Sequence, residues 1–165
     1  NHLRANGVKV DRLSKDTILT VESYRIKDFE TRTNPYEGHY PHYNTTVETT
    51  TKDVAFQKGD YTVDTKQFGM RYILETLEPS AVDSFFNWNF FDTILQQKEG
   101  FSPYVYEDIA LEMLQQNPEL KQEFDAKKKA EKDFKDNWFA QLDWLHKRSP
   151  YYESTHMQYP VYRLP

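Results

Sequence analysis

A chain of 165 residues has the length of one ordinary domain and can bury a core, and its 12 Tyr, 11 Phe and 3 Trp exclude a disordered polymer despite a mean hydropathy of -0.89. The formal charge of -5, with bases interspersed among acids, gives no one-sided positive field for nucleic acid, and no run approaches the roughly 20 apolar residues that span a bilayer. The absence of Cys excludes disulfides, thiolate metal sites and cysteine nucleophiles.

The chain opens Asn1-His2-Leu3 without an initiator Met, which reads as a processed product or a segment of something longer. Leu3 to Ala5 reads as the end of a helix. Val8-Lys9-Val10 after Asn6-Gly7, and Ile18 to Ile26 with its β-branched and aromatic residues, predict strands. Asn34-Pro35-Tyr36-Glu37-Gly38 predicts a loop, and Tyr43 to Thr51 another strand. Gly59 between Val54–Phe56 and Tyr61–Val63 predicts a hairpin connection that needs positive φ.

From Lys66 the period becomes helical. Met70, Ile73, Leu74 and Leu77 recur until Pro79 stops them. Ser80 then reads as the cap of a buried helix bearing Phe85, Trp88 and Leu95 on one face and Phe86, Phe90 and Ile94 on the next. Val105, Ile109 and Met113 predict a further amphipathic helix, and Asn117-Pro118 the capped start of a charged one running through Glu119 to Asp136. Phe134, Trp138, Leu142 and Leu145 form the last apolar stripe, ending before Ser149-Pro150, and Tyr159 to Arg163 reads as extended. The expected fold is therefore α+β, an N-terminal antiparallel sheet or small sandwich followed by four to five helices. The chain reads as one unit, 1–165, with 1–65 mainly β, 66–148 mainly α and 149–165 an extended tail.

Hydrolytic zinc needs three rigid protein ligands and a nearby carboxylate. The five histidines, His2, His39, His42, His146 and His156, stand in no hydrolase zinc signature. His39 and His42, separated by Tyr40-Pro41, form the one close pair that could converge on a metal; the preferred alternative is a loop in which Tyr36, Tyr40 and Tyr43 pack while both imidazoles face solvent. The scattered glycines build no phosphate loop, and Ser14, Ser23, Ser80, Ser84, Ser102, Ser149 and Ser154 lie in no nucleophile motif. Glu107-Asp108, Glu131 and Asp133 read as surface carboxylates. Asn44-Thr45-Thr46 matches a glycosylation acceptor by a short, common pattern. No catalytic, cofactor-binding or metal-ligating residue is assigned.

The block Leu77-Glu78-Pro79-Ser80-Ala81-Val82-Asp83-Ser84-Phe85-Phe86-Asn87-Trp88-Asn89-Phe90-Phe91-Asp92 resembles one found late in large bacterial zinc carboxypeptidase-like peptidases, distant relatives of carboxypeptidase A. The likeness continues through Gln97 to Phe101, Tyr104 to Glu107, Ser149 to Tyr152 and Tyr159 to Arg163, and reaches back to Gly59 to Val63. The first 58 residues match in general character alone. In that family the zinc ligands and the general-base glutamate belong to a preceding catalytic domain, and no position here corresponds to them. The resemblance implies a non-catalytic C-terminal accessory region, without a cofactor of its own, of an exported, Bacteroidetes-like metallopeptidase whose zinc sits in that other domain. Its implied setting is the periplasm or cell surface, and its implied partners are the catalytic domain of the same polypeptide and that enzyme's peptide substrate. A rival expectation is a stand-alone module that binds peptide or glycan through the loop tyrosines Tyr36, Tyr40, Tyr43, Tyr151 and Tyr152.

Overall fold

The computed structural model describes residues 1–97 and 100–164. It has the strands-then-helices order of an α+β chain and divides into two compact units, one of residues 1–96 with 155–165 and one of residues 97–154.

The first unit is built on a long ribbon. After the short helix α1 (His2–Ala5) and strand β1 (Asp11–Arg12), β2 (Thr17–Thr31) and β3 (His42–Phe56) pair antiparallel from Thr17 opposite Phe56 to Ile26 opposite Val47. An irregularity between Ile26 and Asp28 adds a residue to β2, and a second one between Asp28 and Glu30 adds a residue to β3. Asn44 lies in the second with φ 54, a conformation Asn tolerates better than most side chains. The two shifts offset each other, so Thr31 again faces His42.

The expected hairpin around Gly59 is not formed. Gly59 has the anticipated positive φ of 100, but β4 (Tyr61–Thr62) pairs with β1 in a separate two-stranded sheet. Arg12 explains the choice of partner: its guanidinium lies 4.6 Å from the Tyr61 ring centroid and donates to the Tyr61 hydroxyl at 2.7 Å. The expected strand at Val8 to Val10 begins instead at Asp11, and Val8 is a buried core residue.

Helix α2 (Met70–Leu77) stops before Pro79, as its periodicity requires. The helix expected over 80–95 is replaced by successive turns and a 3-10 turn at Asp92–Leu95. Side chains there compete with the helical ladder: Ser84 Oγ donates to the Pro79 carbonyl and accepts from Asn87 N–H, while Asn87 Nδ2 donates to the Ala81 carbonyl. Phe86 is nonetheless fully buried, whereas Phe90 is exposed.

Strand β5 (Gln158–Arg163) completes a three-stranded sheet in the order β3-β2-β5. Its register against β2 jumps between Ser23 opposite Tyr162 and Arg25 opposite Gln158, which leaves Tyr159, Pro160 and Val161 in a bulge. Pro160 costs no ladder bond there, and Tyr159 is buried with Tyr24, Ile26 and Phe86, flanked by Phe29, Phe91, Ile94 and Val161. The ends are fixed by an Arg163–Glu22 ion pair of 3.0 Å and by a bond from Arg25 to the His156 carbonyl.

The second unit comprises α3 (Pro103–Gln116), α4 (Pro118–Ala130), α5 (Lys132–Asp136) and α6 (Trp138–His146). Asn117 caps α4 through its side chain, accepting from Leu120 N–H, with Pro118 in the first turn. Asn137 does the same for α6, accepting from Ala140 N–H, and this cap splits the expected single stripe into two helices. Phe134, Leu142 and Leu145 stay buried, while Trp138 turns outward and donates to Glu107 at 3.3 Å. In α3 the buried pair is Tyr106 and Ala110, one residue along from the predicted stripe, and Val105 is exposed. These residues and Leu120 and Phe124 form the core of this unit.

Candidate functional site

The first unit gathers its polar chemistry at one end of the ribbon. There β3 begins at His42, β2 ends at Thr31, and the turns after α2 bring up Asn89 and Asp92. His42 is 6% exposed, so the solvent-facing imidazole expected from the sequence is not what forms. Phe29 packs on its ring edge-to-face at 4.6 Å, and Phe86 lies tilted against it at 5.0 Å. Both ring nitrogens are engaged: Nδ1 with Thr31 Oγ1 at 2.8 Å, Nε2 with Asp92 Oδ1 at 3.1 Å.

The partners decide the tautomer. Asp92 as a carboxylate accepts only, so Nε2 carries the proton and donates to it, and Nδ1 accepts from the Thr31 hydroxyl. Asn89, held at φ 65, directs its amide protons to the Tyr40 carbonyl at 3.0 Å and to Asp92 Oδ2 at 3.2 Å. Its Nδ2 also lies 3.2 Å from His42 Nε2, and its Oδ1 is buried without a partner. Turning the amide over would set Oδ1 against two acceptors, so the orphaned oxygen is the lesser cost. Thr45 Oγ1 donates to Asn87 Oδ1 at 2.7 Å, and His42 N–H to the Asn87 carbonyl at 2.8 Å, which completes the junction.

Hydroxyl, imidazole and carboxylate thus stand in a row, the order a nucleophilic hydrolase uses. Here the imidazole is walled by two phenyl rings and spends both nitrogens within the chain, an arrangement that fixes the far ends of β2 and β3 to the 86–92 turns. His39 goes elsewhere, its ring packed edge-to-face on Trp88 at 5.6 Å and tilted on Phe90 at 5.9 Å. The hairpin that carries it turns through Glu37 at φ 49 and Gly38 at φ 78, the two positive values of a type I′ turn, with Tyr36 and His39 exchanging both backbone bonds. Histidine and tyrosine roles are therefore exchanged relative to expectation: the imidazoles pack, and Tyr36 and Tyr40 are exposed. Tyr43 is half-buried and donates to Glu30 Oε2 at 2.8 Å. Hydrogen bonds from Asn44 and then Tyr43 hold the Glu30 carboxyl below its ordinary pKa.

The remaining candidates are dispersed. Ser84 and Ser149 spend their hydroxyls on backbone carbonyls, Glu131 pairs with Lys127, and Glu107 accepts from Trp138. Asp108 and Asp133 are exposed. Asn44 donates to Glu30 Oε1 at 2.7 Å.

In the helical unit, His146 belongs to no sequence motif. It is 2% exposed, surrounded by Phe101 at 4.7 Å, Tyr106 at 5.2 Å and Tyr152 at 5.7 Å between ring centroids, with Nδ1 unpartnered. Burial pushes its pKa down, Asp143 opposes this and Lys147 adds to it. Its place beside Leu142 and Leu145 on α6 was the available signal.

Among the described residues no group of three or more His, Asp or Glu side chains is placed to hold a metal ion. No described helix is long and apolar enough to cross a membrane. No protein-family model, curated protein or solved structure matches the chain.

Proposed function

We propose that this chain is an accessory segment without its own active site, the C-terminal region of an exported zinc carboxypeptidase-like peptidase, where it packs on the catalytic domain and shapes access to it. The observation that supports this reading is apolar surface left over after both cores are filled. Phe68 is fully exposed, and the exposed Met70 and Leu74 follow it one turn apart on α2, beside the face that buries Ile73. The resemblance at 77–92 supplies the identity of the partner, and the zinc would belong to that partner.

The experiment compares the full-length peptidase with a version lacking this region and with the substitutions Phe68→Ser and Leu74→Ser. Lower stability or altered peptide selectivity in all three supports the reading. Unchanged stability, solubility and selectivity would remove it.

A second reading has its own observation, the exposure of Tyr36 and Tyr40 at a hydrogen-bonded turn. Such rings can hold a glycan or peptide on a cell surface. It requires saturable binding by the isolated chain, abolished by Tyr40→Ala.

A further inference from the structure

Strand β3 is 15 residues long and pairs on one side, with β2. At its start the other side is covered by the Asn87 bond to His42. Beyond the irregularity at Asn44, among the described residues, no backbone group of 46–56 bonds to anything but β2. This stretch is exposed along most of its length, contains no proline, and is rich in Thr and Val. Such an edge presents free N–H and C=O groups to another strand.

We propose that β3 pairs antiparallel with β3 of a second copy of this chain, about a two-fold axis at Thr50, joining two three-stranded sheets into one. A two-fold perpendicular to the sheet places some residue opposite itself, which limits the registers available. With Thr50 at the axis, Glu48 faces Lys52 of the second copy, and the same pair recurs by symmetry. Thr49 faces Thr51, and Thr46 faces Val54. Threonine pairs and opposite charges are both favourable directly across antiparallel strands. Moving the axis by one residue sets both charges against Thr or Val. Moving it by two sets Glu48 or Lys52 against itself. Within this stretch this register alone pairs Glu48 with Lys52, while Asp53 faces Val47 and keeps its Thr20 partner.

The two side chains are available for this use. Glu48 makes no ion pair among the described residues, and Lys52 reaches only Gln158 Oε1 at 3.4 Å, whereas neighbouring Asp53 is already engaged by Thr20 at 2.6 Å. The pairing uses this edge alone and does not depend on the accessory-segment reading.

Sedimentation equilibrium of the 165-residue chain tests it. A concentration-dependent dimer is expected, with Glu48→Lys and Lys52→Glu each weakening self-association about tenfold, because each turns both attractive pairs into repulsive ones. An equimolar mixture of the two variants restores the attraction in both pairs and is expected to dimerise as tightly as the parent. Unchanged circular dichroism of each variant separates this effect from loss of fold. A parent chain that stays monomeric, single variants that dimerise like it, or a mixture that fails to recover would each overturn the proposal.

Discussion

The Tyr159 hydroxyl donates to the Leu77 carbonyl at 2.8 Å, tying the final strand to the last turn of α2. That carbonyl is one of those a helix end leaves without an intrahelical partner. Tyr159→Phe keeps the ring against Phe91 and removes the bond, so a loss of about 1–2 kcal/mol is expected in urea unfolding followed by circular dichroism. Tyr159→Ala adds a cavity and should cost about 3–5 kcal/mol.

His146 makes stability fall on acidification. Its folded pKa lies below its ordinary value, so the fold favours the neutral ring. Above the unfolded-state pKa of about 6.5 the ring is neutral in both states and the contribution is complete. As pH drops below that value the unfolded chain takes up the proton first, and stability declines until the folded pKa is passed. Urea midpoints measured between pH 8 and pH 5 should decrease for the parent chain and decrease less for His146→Leu.

Asp92→Ala leaves His42 Nε2–H and an Asn89 amide proton without their acceptor. A cost of about 1–3 kcal/mol is expected, and a nitrogen-15 NMR spectrum of the parent chain should show His42 protonated on Nε2. In a double-mutant cycle with Thr31→Val, non-additivity of about 0.5–3 kcal/mol would establish that the three groups act together.

Gly69 is confined by its neighbour rather than by its backbone. A Cβ built there would stand 2.9 Å from Val8 Cγ2, and Val8 is buried. Gly69→Ala should therefore destabilise by about 1–3 kcal/mol, and the loss should shrink in a Val8→Ala background, where the obstructing methyl groups are gone.

What could be read beforehand were the elements governed by local rules: the long strands, the stop at Pro79, the Asn117-Pro118 cap. What escaped depended on competition between distant groups. Gly59 correctly signalled a turn, but local pattern cannot say that Arg12 outbids β3 for the strand that follows. The apolar spacing of 85–95 is helical, yet the Ser84 and Asn87 side chains take over backbone groups a helix would use. His42 looked like a loop residue because nothing near it in sequence predicts Phe29, Phe86 and Asp92 around it. The polar junction was thus invisible until the ribbon and the turns were placed together.

Because β5 lies after the helical unit in the chain but belongs to the sheet containing β2, the two units differ in when a ribosome can deliver their parts. Residues 97–154 form one uninterrupted stretch with near-neighbour packing, which favours rapid closure during synthesis. The earlier β2–β3 ribbon has to wait, with the flank that will receive β5 still bare, until residues 97–154 and the strand after them have emerged. Throughout that interval the nascent chain exposes an adhesive border that the finished sheet covers, so crowding on a polysome is the circumstance most apt to misdirect it.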